Sequence, residues 1–183
     1  MQENHIFVKF EGDKLTLSIE AVKEWVSRYK TIIENIEKMM NRAETLRDKI
    51  SSPQSANIDG MPHGNNYNGD RLGNLVVKCT SIEEEIQHEM TKARAVYKEI
   101  DTAIKKIDGP GWPDEKVVLQ MKYLDLLGWD DINDVLWLSK PDYIERYESF
   151  RRRTFKIHRS ALFSLAEIIV SDITIQENNT KKE

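Results

Sequence analysis

The sequence predicts a mainly α protein: a long antiparallel helical hairpin and a C-terminal helix-turn-helix-like bundle, with a short β-hairpin at the N-terminus. Three observations carry that reading. Two charged stretches of similar length each bear apolar residues at alternating steps of three and four, the period of a helix with one buried seam. A Gly/Pro cluster at 109–113 separates them from a third helical region. Residues 6–17 follow a period of two instead.

In chain order, Ile6, Val8 and Phe10 share one strand face, and Gly12-Asp13 is a two-residue turn signal. Phe10 then faces Leu15 and Val8 faces Leu17, which leaves one side wholly apolar. An isolated hairpin is marginal in water, so this one needs helices or a partner to cover it. Ser18 is the expected N-cap of the first long helix, with Glu20 and Glu24 in its early turns. Its seam runs Val22, Trp25, Tyr29, Ile32, Ile36, Met39, Ala43, Leu46, Ile50. The connector 51–71 holds Pro53, Gly60, Pro62, Gly64, Gly69 and Asn57, Asn65, Asn66 and Asn68, the composition of a mobile loop. A second seam follows: Leu72, Leu75, Cys79, Ile82, Ile86, Ala93, Val96, Ile100, Ile104, Ile107, slipping near Met90. An extended coiled coil and two helices of one bundle both satisfy the pattern.

Gly109 suits the left-handed position after a helix and Pro113 the first turn of the next, which predicts a domain boundary there. The expected organisation is therefore a β-hairpin at 1–17, a helical hairpin at 18–108 with its loop at 51–71, and a helix-turn-helix-like domain at 109–175. A disordered polar tail is expected at 176–183. Within the third part, Val117, Val118, Met121, Tyr123 and Leu124 predict a helix that ends at Gly128. Trp129-Asp130-Asp131 opens the next, with carboxylates where a helix N-terminus favours them. Ile132, Val135, Leu136 and Leu138 form its expected buried side, and Ser139 and Pro141 stop it. Asp142 caps a third helix over 143–169, whose core face reads Tyr143, Tyr147, Phe150, Thr154, Ile157, Ala161 and Leu165.

Composition bounds the function. With 39% hydrophobic and 32% charged residues the chain is globular, and its net charge of −4 argues against a surface that coats nucleic acid or membrane as a whole. A nucleic-acid face must be local. No apolar run approaches a membrane span, and the N-terminus lacks the order of a secretory signal, so a cytoplasmic setting is expected. The lone Cys79 excludes an intrachain disulfide and reads as a buried structural thiol. His5, His63, His88 and His158 are scattered without metal-ligand spacing. Asp130 and Asp134 share a helix face, but helix N-terminal charge and solubility explain them more simply than a bound cation. There is no glycine-rich phosphate loop, nucleophile elbow or zinc-protease motif, so neither an enzyme nor a cofactor is expected.

The charge that matters sits between Tyr143 and Arg159. Arg146, Arg151, Arg152, Arg153, Lys156 and Arg159 outnumber Glu145 and Glu148, and Arg152, Lys156 and Arg159 fall on one stripe at i, i+4 and i+7. Arginine reaches guanine edges bidentately, and both basic types neutralise phosphates. Arg152, Lys156 and Arg159 are the candidate DNA face. Lys140, Arg146, Arg151 and Arg153 are candidate phosphate contacts, and Trp129, Ile132, Leu136 and Phe150 are expected to hold the helices.

The order of parts adds a resemblance over Tyr29 to Leu165. It rests on Gly69-Asp70-Arg71-Leu72-Gly73-Asn74, Ile82-Glu83-Glu84-Glu85-Ile86 and Val118-Leu119-Gln120-Met121-Lys122-Tyr123, then Trp129-Asp130-Asp131-Ile132 and Ile157-His158-Arg159-Ser160-Ala161-Leu162. This resembles phage-encoded proteins of Gram-positive hosts with a C-terminal part like region 4 of a sigma factor, the ArpU/RinA-type late-transcription regulators. The resemblance implies a DNA-binding transcription regulator in the host cell, working beside host RNA polymerase. It makes Trp129 to Leu138 the supporting helix and the next helix the reader. The chain departs from the pattern at Asn133, where a small residue is usual, and at Trp137, where the turn usually has Gly. Extra residues between Ser139 and Ile157 contain the arginine triplet. A competing reading is a protein-interaction module, homo-oligomeric or with another partner, acting through the helical hairpin and β-hairpin.

Overall fold

Both long stretches are helices in the structure, a computed structural model that describes the backbone of residues 8–11, 14–52, 71–108 and 112–180 and the side chains of 18–52, 72–108 and 114–173. The expected loop at 51–71 falls, over 53–70, outside the described residues, as do the turn Gly12-Asp13 and residues 109–111. Strand β1 (Val8–Glu11) pairs antiparallel with β2 (Lys14–Leu17), Val8 opposite Leu17 and Phe10 opposite Leu15. Helix α1 (Ile19–Ser51) follows at once. Ser18 caps it: its Oγ accepts a hydrogen bond from the Ala21 N–H at 3.1 Å, which satisfies one of the orphan donors of the first turn. After α2 (Arg71–Lys105) come α3 (Trp112–Leu119), a π-helical turn (Gln120–Leu124), α4 (Trp129–Trp137) and α5 (Tyr147–Thr180). The chain is mainly helical, and among the described residues no helix is long and apolar enough to cross a membrane.

The described residues form two compact units, one of residues 1–31 with 95–183 and one of residues 32–94. In the second, α1 and α2 pack antiparallel along Ile32, Ile36 and Ala43 against Cys79, Ile82, Ile86 and Ala93, all buried. Arg47 bonds Glu83 at 2.6 Å across the pair. The Cys79 thiol lies 3.4 Å from Glu83 and is pushed up by its burial and by that carboxylate.

In the first unit the core joins Val22 and Val26 of α1 with Ile100, Ala103, Ile104 and Ile107. Against these pack Leu119, Tyr123 and Leu124, together with Ala161, Leu162, Leu165, Ala166 and Ile169 of α5. One apolar core thus spans both sides of the Gly/Pro cluster at 109–113, and the division between units falls inside the long helices instead. The reason is area: α3 and α4 are too short to cover α5, so the base of the long hairpin does so. Helix α5 also runs on through residues 176–180, where the polar composition predicts a disordered tail; residues 181–183 lie outside the described residues.

Candidate nucleic-acid interface

The site is built on α4 and α5. Ahead of it, the helix expected to end at Gly128 ends earlier. The π-helical turn closes with the Asp125 N–H on the Gln120 carbonyl at 3.0 Å, and Leu126 takes φ 58°. Gly128 is extended (φ −66°) and serves as the N-cap of α4, its N–H donating to the Asp131 carboxylate at 3.1 Å. Asp130 and Asp134 each take a tyrosine hydroxyl. Asp130 accepts from the Tyr147 hydroxyl at 2.7 Å and Asp134 from the Tyr143 hydroxyl.

The buried side of α4 differs from the sequence reading. Ile132 is buried and Leu136 half-buried, but Val135 and Leu138 are each 65% exposed. Asn133 and Trp137 take their place, at 0% and 6% exposure. Thr154 of α5, itself 2% exposed, meets the Trp137 indole N–H and Asn133 Oδ1, while Asn133 Nδ2 is buried without a partner among the described residues. The Thr154 Oγ1 accepts from the Trp137 indole N–H at 2.9 Å and donates to Asn133 Oδ1 at 2.7 Å. The large indole wins the burial because its one polar atom keeps a partner. Asn133 and Trp137 are therefore residues that tie α4 to α5.

Helix α5 starts later than expected. Residues 141–146 are turns, with the Tyr143 N–H on the Lys140 carbonyl and the Arg146 N–H on that of Asp142. Asp142 does not cap a helix at Tyr143; it pairs with the Arg146 side chain at 2.9 Å. Tyr143 is tucked inside, its ring 5.6 Å from Tyr147 and 5.7 Å from Phe150, and this anchors the turn.

The predicted basic residues divide. Arg152, Lys156 and Arg159 are exposed on one face of α5, and Arg152 and Lys156 make no ion pair among the described residues. Arg153 is exposed with its guanidinium 4.7 Å from the Trp137 ring centroid. Arg151 is half-buried, 3.6 Å from Glu148, with its Nε buried and unpartnered. Lys140 and Arg146 lie exposed on the turn before α5.

Sequence reasoning missed the aromatic company of the stripe. Phe155 and Phe163 are 39% and 48% exposed on the same face as Arg152, Lys156 and Arg159. Their spacing was legible, but aromatic residues at helical intervals are ordinarily core. Behind Phe155, Trp129 packs at 4.9 Å, and Lys122 lies 4.7 Å over Trp129. His158 sits 4.8 Å from Trp129, and its Nε2 is 3.0 Å from the Tyr123 hydroxyl. Burial, then Lys23 and Lys122, hold the His158 imidazole down at about 4, so it is neutral. Burial pushes the Tyr123 phenol up to about 12. Comparison with protein-family models, curated proteins and solved structures returns no match.

Proposed function

We propose that the protein is a phage-type transcriptional regulator that binds double-stranded DNA against the exposed basic face of α5, in the host cytoplasm and beside host RNA polymerase. The observation that carries this reading is the stripe Arg152, Lys156 and Arg159, solvent-facing on a helix braced by α4 through Thr154. On a chain of net charge −4, a local cluster of exposed cations concentrates positive potential where a phosphate backbone fits. The resemblance to sigma region 4-like regulators supports the assignment of α4 as supporting helix and α5 as reader. Arg153 stands beside the stripe as a further phosphate contact. Arg146 and Arg151, already paired with Asp142 and Glu148, contribute less.

The test is duplex binding followed by fluorescence anisotropy over a range of salt. Wild type should lose affinity steeply with salt, and Arg152→Ala/Lys156→Ala/Arg159→Ala should lower the log–log salt slope by about three while leaving the melting temperature nearly unchanged. Equal binding by the triple variant would sink the assignment. A second reading, a protein-interaction module, is favoured by Leu72 and Val76, exposed one turn apart on one face of α2. Association through that face would be insensitive to salt, which separates the two.

A further inference from the structure

We propose that Phe155 and Phe163 are specificity-determining residues that read thymine methyl groups in the major groove; this rests on the DNA-binding reading of the α5 face. Two large rings exposed among Arg152, Lys156 and Arg159 are not needed to neutralise phosphates. Stacking needs a base splayed out of the helix, whereas the bases of a duplex stay stacked on one another. Phe155 has Trp129 at 4.9 Å and the Arg151 guanidinium 5.8 Å from its centroid, and Phe163 carries the Arg159 guanidinium at 5.9 Å. Against a closed duplex these exposed rings meet the groove wall, where an apolar ring suits a methyl group. In duplex DNA the apolar group on the major-groove wall is the thymine 5-methyl.

The spacing adds a prediction about the site. Eight residues of helix separate the two rings, about 12 Å along the axis at 1.5 Å per residue. At about 3.4 Å per base step, that is a pair of thymines three or four base pairs apart. Arg159 lies between them in sequence, its exposed guanidinium 5.9 Å from the Phe163 ring centroid and beside the same groove wall.

Fluorescence anisotropy of the full chain tests this with four probes. They are a short alternating adenine–thymine duplex, the same duplex with deoxyuridine for thymidine, and a guanine–cytosine duplex with and without 5-methylcytosine. Removing the methyl should weaken wild-type binding about fourfold for each ring that touches one, and 5-methylcytosine should tighten it. In Phe155→Ala/Phe163→Ala the thymine/uracil ratio should fall to one while the salt slope stays. The duplex change does not touch the protein, so a folding defect in that variant cannot produce the wild-type result. Equal wild-type affinity for the thymine and uracil duplexes, with steep salt dependence on both, would overturn the methyl reading and leave DNA binding standing. Salt-insensitive or absent binding to every probe would overturn both. A ratio that survives in the double variant would overturn the assignment to these two rings.

Discussion

Thr154 does at the scale of one residue what the apolar pattern alone does not. Its hydroxyl accepts from Trp137 and donates to Asn133, and all three side chains are buried. Thr154→Val keeps the shape and removes both bonds, which should cost about 1–3 kcal/mol because two buried polar groups lose their partner. Urea denaturation measures it, and an unchanged midpoint would show that the network adds nothing. His158 gives a second residue-scale prediction. Its folded pKa of about 4 lies below the ordinary 6.5, so the unfolded chain binds the proton first. Stability from this group is complete above about pH 6.5 and drains away as pH falls toward 4, about 3 kcal/mol in all at 1.36 kcal/mol per unit. In His158→Gln that part of the acid slope should vanish, read as the difference between the two proteins' pH–stability curves.

At the scale of elements, the junctions decide where side chains point. Leu126 lies in the left-handed region at φ 58°, a conformation that costs a Cβ-bearing residue about 1–2 kcal/mol. Leu126→Gly relieves that strain but gives up a half-buried side chain, so its stability should change by less than the about 2–5 kcal/mol of a typical core leucine truncation. A loss in that larger range on thermal or urea denaturation would mean that packing, not backbone, governs the turn. The turn residues 141–146 set the start of α5 at Tyr147, one turn later than the caps in the sequence predict. The delay brings Arg151 to Arg153 one turn nearer the start of α5, into its second turn, where Phe150 packs on Trp137 at 5.3 Å.

For the molecule as a whole, the apolar core and not the ion pairs carries the fold. Arg28–Glu99 and Lys106–Asp172 are partly exposed pairs of the kind worth about 1 kcal/mol or less. Val26, Ile100, Leu119, Leu162 and Leu165 are buried in one cluster that draws on α1, α2, α3 and α5. A fragment starting at residue 109 would therefore expose Leu119, Leu162 and Leu165 and should not show a cooperative thermal transition, whereas the full chain should. A cooperative melt of the fragment would restore a domain boundary at the Gly/Pro cluster. Ile100→Ala, far in sequence from α5, should destabilise the unit that carries α5 by about 2–5 kcal/mol in urea denaturation.

The long helices are legible along the chain, because their seams of three and four and the Ser18 cap are local signals that act within a turn or two. So is the shared face of Arg152, Lys156 and Arg159, since helical periodicity alone fixes it. Which residues of α4 are buried is not legible in this way. Val135 and Leu138 are more apolar than Asn133, yet Asn133 and Trp137 go inside because Thr154 lies within hydrogen-bonding reach. The neutral state of His158 likewise comes from the folded arrangement, through its burial and then Lys23 and Lys122. The extent of the core follows the same rule and ignores the Gly/Pro cluster. The physical reason is the same each time: backbone propensity is set residue by residue along the chain, while burial of a polar group depends on a partner that only folding brings near.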